Sequence, residues 1–471
     1  MRIVFIHHHL RTGGVTRVIS QQIRSLGDEV QVLVVVGEPP SHTPPFPFAV
    51  VSQIAYDRDR KTRADPKNIA DTIVKKTRSH WKGEADLFHI HNPTLGKNRD
   101  LITAIKLLQS SGYRLLLQIH DFAEDGRPQN YCDEQYPDDC HYAVLNKRDY
   151  AILMRSGLKP EGLHHIPNPV VPPVSEVRQE NKKEIVLYPV RAIRRKNIGE
   201  AVLLSLFLRN KEGVGVTLEP TGSLDCRSYN DWKVFVKEKN LKVRFGLGID
   251  STYEEVLGST RCMITTSIKE GFGYCFLEPW VCQKMLFGRL LKDICDDFTS
   301  NGVDLGHLYE RIAIPLSLID KRGFFSMWKQ CYRERLLKYG LEANDSKIDG
   351  GLQSLTRDGC IDFGILNENN QRKVVDRLLK NKGVREKILD MNPFLIEFTS
   401  FKDTEDTIQR NRSVVEEHYS LENCKERLLD IYKKVLDTRI KHGIDKRVVL
   451  EAFNTPDMSH LLLCDSAYGK D

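Results

Sequence analysis

Short runs of apolar residues alternate with segments of helical periodicity in the first third of the chain. A segment with the apolar spacing of a helix, Val18 to Leu26, lies between the first two runs. Strands that are apolar along their whole length and separated by helices are typical of a parallel sheet covered on both faces. The first domain is therefore predicted to be α/β. Its predicted strands are Ile3 to Ile6, Val30 to Val36, Leu87 to His91 and Arg114 to His120.

The alternation starts again after a proline-rich run from Ile166 to Pro173 and a charged stretch from Glu176 to Lys183. A proline-rich run breaks secondary structure and indicates a linker. We predict an α/β fold class with two Rossmann-like, doubly wound domains facing a central cleft, where ligands bind. The predicted strands of the second domain are Glu184 to Val190, Val214 to Glu219, Lys242 to Phe245 and Arg261 to Thr265.

These patterns predict an amino-terminal domain at residues 1–172 and a carboxy-terminal domain at residues 183–413. Within the second domain, residues 287–360 lose the regular alternation and are interpreted as an elaborated segment. Residues 414–471 are predicted to form a helical extension that could pack back on the first domain. The extension begins with a charged amphipathic helix from Val414 to Leu436.

Composition limits the partners and the location. The 70 basic and 64 acidic residues leave a net charge of +6 spread along all 471 residues, so nucleic acid is not a predicted partner. The 11 cysteines include no Cys-x-x-Cys pair, and no run is long enough to span a membrane, which predicts a cytoplasmic protein with reduced thiols. Peripheral membrane contact and the oligomeric state stay open. Cys132, Cys140 and His141 come closest to a metal cluster but are interpreted as an exposed loop.

Two glycines follow the first predicted strand and open the first helix. Gly13 and Gly14 would let backbone amides approach a phosphate at the positive end of that helix. The sequence is not the Gly-x-Gly-x-x-Gly dinucleotide motif, which argues against a nicotinamide dehydrogenase. The alternative is a tight turn that needs glycine for packing.

Titratable side chains follow the later strands of the first domain. His120 and Asp121 come just past a buried strand, where a histidine can hydrogen-bond a substrate hydroxyl and an aspartate can orient it. The alternative for His120 is a structural histidine. His89 and His91 end the preceding strand, and for both we favour the structural role.

The second domain carries a cationic turn and a glycine turn between two carboxylates. Four cations lie within six positions, from Arg191 to Lys196, and a bound diphosphate would relieve their mutual repulsion. The alternative is a charged turn exposed to solvent. Further on, Glu270 and Glu278 lie on either side of Gly-Phe-Gly, where backbone donors and carboxylates could hold sugar or ribose hydroxyls. The alternative is a glycine turn with two solvated glutamates.

Together these motifs resemble those of retaining glycosyltransferases of the GT-B fold, of the family 4-like type. Glu270 and Glu278 resemble the Glu-x7-Glu signature of that family, and Arg191 with Lys196 resembles its Arg-x4-Lys pair. The resemblance covers residues 1 to 285 in the family's order. Its other three motifs match Gly13-Gly14, His120-Asp121 and the Ile166-Pro-Asn168 turn.

The resemblance implies a retaining transfer of a hexose, either mannose from GDP-mannose or glucose from UDP-glucose. It implies that His120 contacts the sugar near the reacting carbon, that Arg191 and Lys196 stabilise the leaving diphosphate, and that Glu270 holds sugar hydroxyls. The remaining donor contacts would come from Gly13 and Gly14, the amides around Phe272 and Gly273, and Glu278 at the ribose. No protein base and no cofactor are required, and Mg²⁺ is possible but not indicated.

The sequence departs from the family pattern after Glu278, which leaves the acceptor to local chemistry. Arg289 follows Gly288 in a segment expected to return to the cleft, and Arg11 and Arg17 flank the glycine loop. We therefore predict a small polar acceptor with an anionic group, bound by Asp121 and Arg289. The alternative for Arg289 is a salt bridge. Two other functions stay open, a nucleotide-sugar 2-epimerase and a non-catalytic nucleotide-sugar-binding protein.

Overall fold

The computed structural model describes residues 1–60, 62–173, 184–209, 211–400 and 405–469. The chain divides into two compact units. Unit 1 comprises Met1–Pro169 and Glu417–Asn454, and unit 2 comprises Val170–Glu416 and Thr455–Asp471. The charged stretch from Glu176 to Lys183, with the predicted start of the second domain at residue 183, lies outside the described residues, as do the last two residues of the chain.

Unit 1 is built on a parallel sheet in the order β3-β2-β1-β4-β5-β6-β7. The order of the strands reverses between β1 and β4, and the carboxyl ends of strands at such a switch point form the usual ligand crevice of an α/β domain. The strands are β1 (Arg2–His7), β2 (Gln31–Val36), β3 (Phe48–Val50), β4 (Leu87–His91), β5 (Arg114–Gln118), β6 (His141–Val144) and β7 (Leu163–His165).

Helices cover both faces of this sheet, which explains why its strands are continuously apolar. Ile3 and Phe5 of β1 belong to the hydrophobic core on one face, and Val4 and Ile6 belong to the core on the other. Alternate residues of a strand point to opposite faces, so both sets must be apolar. The helices in this part of the chain are α1 (Gly14–Leu26), α2 (Pro66–Trp81), α3 (Leu101–Ser110) and α4 (Lys147–Arg155).

Unit 2 is built on a second parallel sheet in the order β10-β9-β8-β11-β12, with its switch point between β8 and β11. The edge strand β12 was not predicted, and its last two residues fall inside the predicted elaborated segment 287–360. The parallel strands are β8 (Ile185–Arg191), β9 (Gly213–Leu218), β10 (Val243–Phe245), β11 (Thr260–Thr265) and β12 (Met285–Gly288). A separate antiparallel pair consists of β13 (Ala313–Pro315) and β14 (Cys360–Asp362).

Helices account for most of the remainder of unit 2. They are α5 (Ile198–Ser205), α6 (Ser223–Glu238), α7 (Leu247–Asp250), α8 (Tyr253–Gly258), α9 (Glu278–Val281), α10 (Lys292–Ser300), α11 (Lys321–Lys338), α12 (Asp345–Leu355), α13 (Glu368–Lys380), α14 (Lys382–Met391) and α15 (Phe394–Ser400). Within the described residues, none of the helices in either unit has the length and apolar character that crossing a membrane requires.

The carboxy-terminal part contains α16 (Glu405–His418), α17 (Leu421–Asp437) and α18 (Lys446–Phe453). The prediction of one helix from Val414 to Leu436 is wrong, because Ser420 caps a new helix by accepting a hydrogen bond from the Asn423 amide at 3.2 Å. Helix α17 packs in unit 1, where Tyr432 joins the core on the Ile3 face. Residues from Thr455 onward belong to unit 2.

Candidate active site

The cationic turn and the first glutamate of unit 2 meet at the switch point of its sheet. Arg195 and Lys196 follow β8, and Glu270 follows β11. Lys196 Nζ donates to Glu270 Oε1, and Arg195 Nη1 donates to Glu270 Oε2 at 3.1 Å and to the Lys269 carbonyl at 2.6 Å. We call these three side chains the Glu270 triad, in which one carboxylate pairs with two cations.

The triad keeps a buried carboxylate ionised. Glu270 is 8% exposed, and burial alone would raise its pKa, but Lys196 and Arg195 outweigh burial and lower the pKa of Glu270 to about 2. At neutral pH the carboxylate is therefore negatively charged and accepts hydrogen bonds only. This is the form that would hold sugar hydroxyls.

The other two cations of the turn have different environments. Arg194 is buried and paired with Glu368, its Nε lying 2.6 Å from Glu368 Oε1, so it is a structural residue. Arg191 donates from Nη1 to the Glu219 carbonyl at 3.0 Å, and no carboxylate in the described ranges lies within ion-pair distance of it. Arg191 thus leaves positive charge available at the end of β8.

The second glycine after Glu270 has a structural explanation. Gly273 has φ of 93°, and a Cβ added there would lie 2.9 Å from Ile294 and from Phe276. The Phe272 side chain is buried edge-on against Tyr274 at a ring distance of 5.1 Å, so a donor contact by Phe272 would have to come from its backbone. Glu278 is the first residue of α9 and is partly exposed.

The glycines that follow β1 have no such explanation. Gly13 is extended, with φ of 176°, and a Cβ added there would meet only the Arg11 carbonyl oxygen, at 3.9 Å. A Cβ added at Gly14 would meet nothing within 4 Å. Neither backbone conformation nor packing therefore requires glycine at these positions, which favours space for a ligand over a tight packing turn.

His120 lies at the carboxyl end of β5 and is connected to His91 at the end of β4. His91 Nδ1 and His120 Nε2 are 2.8 Å apart, and His7 Nδ1 lies 3.2 Å from the His91 carbonyl oxygen. Burial lowers the pKa of His120 to about 4, so the ring is neutral at pH 7. His91 fixes the orientation of His120, a role that the sequence analysis did not give it.

A left-handed asparagine shapes the turn after β5. Asn92 has φ of 56°, and its Oδ1 accepts hydrogen bonds from the amides of His120 at 3.2 Å and Asp121 at 3.0 Å. Asp121 also pairs with Arg127, whose Nη2 lies 2.6 Å from Asp121 Oδ1. A single asparagine after a strand does not indicate, in the sequence alone, that its side chain accepts hydrogen bonds from the turn after β5.

The prediction that Arg289 binds the acceptor is contradicted by its surroundings. Arg289 is 3% exposed, and its guanidinium donates to Glu200 at 2.6 and 2.9 Å, to Asp362 at 2.7 and 2.8 Å, and to the Glu310 carbonyl at 3.0 Å. A guanidinium has five N–H donors, and these contacts engage all of them within unit 2. Arg11, beside the glycine loop, is paired with Glu38 and Asp59.

The exposed-loop interpretation of Cys132, Cys140 and His141 is also wrong in part. Cys140 is buried, and His141 begins β6 and lies 2.9 Å from His164 Nε2 through its Nδ1. Within the ranges that the structure describes, no group of three or more histidine, cysteine, aspartate or glutamate side chains is arranged to hold a metal ion.

Comparisons with known proteins identify relatives over most of the chain. No family model matches the sequence. The chain is 28% identical to mannosylglucosyl-3-phosphoglycerate synthase of Petrotoga mobilis over 419 residues, which cover 79% of this chain and 80% of that protein.

Solved structures show the fold. HepE of Anabaena, in complex with UDP and glucose, matches with a TM-score of 0.54 and 9% identity over 92% of this chain and 99% of its own. Sucrose-phosphate synthase of Thermosynechococcus elongatus matches with a TM-score of 0.54 and 14% identity over 92% and 98%. These likenesses, with the two parallel sheets, show the predicted GT-B fold.

Proposed function

We propose that this chain, a nucleotide-sugar glycosyltransferase of the GT-B fold, is a retaining hexosyltransferase that acts on a small anionic acceptor. The observation that supports the proposal most is the Glu270 triad at the switch point of unit 2, together with Arg191 at the end of β8, whose guanidinium contacts a carbonyl oxygen. A buried carboxylate suits sugar hydroxyls, and cations at the end of a parallel strand suit a diphosphate. The donor is mannose as GDP-mannose or glucose as UDP-glucose.

The chemistry of the step assigns a role to each charge. The bond between the anomeric carbon and the leaving diphosphate oxygen breaks, the acceptor hydroxyl oxygen bonds to that carbon on the same face, and its proton moves to the departing phosphate. Arg191 and Lys196 stabilise the charge that develops on the diphosphate. Because Lys196 pairs with Glu270, we propose that donor binding moves Lys196 to the diphosphate and frees Glu270 for the sugar.

In unit 1 we propose that His120 contacts the sugar as a neutral imidazole and that Gly13 and Gly14 admit part of the donor. The neutral state follows from the lowered pKa of His120, and the space follows from the open surroundings of Gly14. The name of the Petrotoga relative adds the acceptor class, and we propose a sugar linked to 3-phosphoglycerate as the acceptor.

The test combines two donors with one acceptor. Purified protein is incubated with GDP-mannose or UDP-glucose and glucosyl-3-phosphoglycerate, and product is detected by mass and its anomeric configuration by proton NMR. We expect transfer from one donor with retention. Epimerised or hydrolysed donor without transfer would favour the 2-epimerase. Tight donor binding, measured as a thermal shift, without any turnover would favour the binding protein.

A matched pair of variants tests the supporting observation. Glu270→Gln removes the charge of the triad, and we expect turnover to fall by about two powers of ten or more, as for other groups that orient a transition state. Glu212→Gln removes the charge of another buried carboxylate of unit 2, which lies 2.6 Å from Arg261 at the start of β11. The control should lose stability but keep turnover, and equal losses of turnover would contradict the role of Glu270.

A further inference from the structure

A second cationic site lies within unit 1, in a cavity of about 490 Å³. We call it the basic pocket. Its lining includes five cationic side chains and one carboxylate, that of Asp57. Uncompensated positive charge in a concave surface attracts anions and raises their local concentration. The five cations are Arg58, Arg60, Arg63, Lys97 and Arg99.

Two of the five cations are structural. Arg60 Nη2 lies 2.9 Å from Asp100 Oδ2, and Arg63 Nη2 lies 2.9 Å from Asp100 Oδ1. Arg60 also pairs with Asp57. These contacts pair Asp57 and Asp100 with arginines of the wall, so in the described part of unit 1 neither carboxylate forms an ion pair with Arg58, Lys97 or Arg99.

The other three cations have little compensation in the described part of unit 1. Lys97 and Arg99 have no carboxylate within ion-pair distance there, and Arg58 has a single contact, with Asp59 at 3.6 Å. Lys97 Nζ instead lies 3.4 Å from Tyr56 Oη and 4.8 Å from the centre of the Tyr56 ring. Burial lowers the pKa of Lys97, and Arg127 and Arg58 lower it further. Burial and the two arginines thus make the charged form of Lys97 less favourable, and a bound anion would stabilise it.

The lining of the pocket contacts the loop that leads to the glycines proposed to admit the donor. Tyr56 Oη lies 2.9 Å from His9 Nε2, in the loop that leads to Gly13. The Asp121 carboxylate raises the pKa of Lys97, so Asp121 lies close enough to interact with that ammonium. Part of the pocket lining is fixed by backbone, because the Gly96 amide donates to the Asn130 carbonyl at 2.8 Å and a Cβ at Gly96 would lie 2.6 Å from that oxygen.

We infer that the basic pocket binds the phosphate monoester of the acceptor through Lys97 and Arg99, with Arg58 at its rim. A dianionic phosphate suits the weakly paired Arg58 together with Lys97 and Arg99, which have no ion pair in the described part of unit 1, better than a single carboxylate does. The cavity volume also leaves room for atoms beyond the phosphate. This inference rests on the proposed function, because it assigns the acceptor subsite of the same transferase. It replaces Arg289 as the residue that recognises the acceptor's charge.

A binding measurement tests the pocket without requiring turnover. Wild type, a Lys97→Met/Arg99→Gln variant and a Lys75→Glu control are titrated with glycerol 3-phosphate, D-glycerate and glycerol by calorimetry. Lys75 is an exposed lysine of α2 in the same unit and does not line the pocket. We expect wild type and the control to bind glycerol 3-phosphate alike, and the double variant to bind it about tenfold to a hundredfold more weakly, as for the loss of charge-assisted hydrogen bonds. Unchanged affinity in the double variant, or equal binding of D-glycerate and glycerol 3-phosphate by wild type, would overturn the inference.

Kinetics then separates this inference from the proposed function. With the phosphorylated acceptor, the double variant should show an acceptor KM raised about tenfold or more, with the donor KM and kcat changed less than about threefold. With the dephosphorylated acceptor, wild type and the double variant should be equal. Equal losses with both acceptors would show that the pocket is only structural. If wild type bound glycerol 3-phosphate through Lys97 and Arg99 but transferred no hexose, the proposed function would fail and the phosphate site would stand.

Discussion

The two units place charge at their switch points in opposite ways. In unit 2 a buried carboxylate is kept ionised by two cations, so the Glu270 triad carries one net positive charge. In unit 1 the buried groups at the ends of β1, β4 and β5 are neutral histidines, and the uncompensated charge lies in the neighbouring basic pocket. Under the proposed function, donor binding exchanges one ion pair for another in unit 2, whereas in unit 1 the phosphate of the acceptor pairs with the cations of the basic pocket.

The largest expected effect of this difference is on stability in mild acid. Five fully or nearly fully buried histidines of unit 1 have lowered pKa values, that of His89 to about 3 and those of His8 and His120 to about 4, with His7 and His91 also well lowered. The unfolded chain binds protons on these rings below about pH 6.5, but the folded chain does not. The contribution of these histidines to the free energy of unfolding is therefore fully present above pH 6.5. It is lost as the pH falls toward 4, and the loss at pH 5.5 is about 1.4 kcal/mol per histidine.

Unit 2 should resist the same change. The pKa of Glu270 is lowered, so its contribution to stability is lost only as the pH falls from 4.5 toward 2, although His307 and His460 add smaller effects from lowered pKa values. Hydrogen exchange followed by mass spectrometry at about pH 7.5 and 5.5 should show β1, β4 and β5 losing more protection than β8 and β11. Equal loss in the two units would contradict the comparison.

The next largest effect concerns the cations of unit 2. Arg191→Ala or Lys196→Ala should each reduce turnover by about two to four powers of ten, because each supplies a few kcal/mol of leaving-group stabilisation. Lys292→Ala, which removes an exposed lysine paired with Asp296, is the matched control and should keep wild-type turnover. Steady-state kinetics with saturating donor measures both. Near wild-type turnover in both site variants would refute the assignment.

The fold was predictable because its signal is local. The continuous apolar strands β1, β2, β4 and β5 face a core on both sides, and this requirement is visible in any short window of the sequence. The strands that the prediction missed are short, with three residues in β3 and β7 and four in β6 and β12, which gives little pattern to detect. The break before α17 was missed because a single serine cap decides it.

The site was predictable only where its residues adjoin strand ends. Lys196 and Glu270 were singled out separately, but nothing in the sequence states that residues 74 apart share a hydrogen bond. Arg289 was misassigned because burial by Glu200 and Asp362, on two other elements, is a long-range property. The basic pocket was missed for the same reason, since Tyr56 and Lys97 come from loops far apart in the sequence.

A smaller effect is expected at the histidine pair of unit 1. His120→Ala should reduce turnover about tenfold to a hundredfold, the worth of one hydrogen bond made in the transition state, while the affinity for nucleoside diphosphate changes little. His91→Phe removes the partner of His120 and should give a weaker loss in the same direction. His89→Gln is the control, because the ring nitrogens of His89 pair with Tyr432 and Gln118 and not with His120, although its ring also packs against His91.

Calorimetry with nucleoside diphosphate and single-turnover kinetics distinguish these outcomes. A collapse of nucleoside diphosphate affinity in His120→Ala, with turnover of bound donor preserved, would show that His120 serves the nucleotide and not the sugar. A loss in His89→Gln equal to that in His91→Phe would show that burial of imidazole, and not the hydrogen bond to His120, is what the site requires.

The smallest effects are expected at the glycines. Gly14 and Gly273 were each predicted, from separate motifs, to lie in a glycine turn that opens a helix. Gly273→Ala should destabilise the protein by about 1–3 kcal/mol, since its positive φ and its contacts with Ile294 and Phe276 leave no room for a methyl group. Gly14→Ala should change stability by less than about 0.5 kcal/mol, because α1 begins there and the space is empty. Urea unfolding measures both.

The methyl group at Gly14 should nevertheless raise the donor KM severalfold, because it fills the space proposed for the donor. If Gly14→Ala lost as much stability as Gly273→Ala, or left the donor KM unchanged, Gly14 would be a packing glycine and the two turns would have the same structural role.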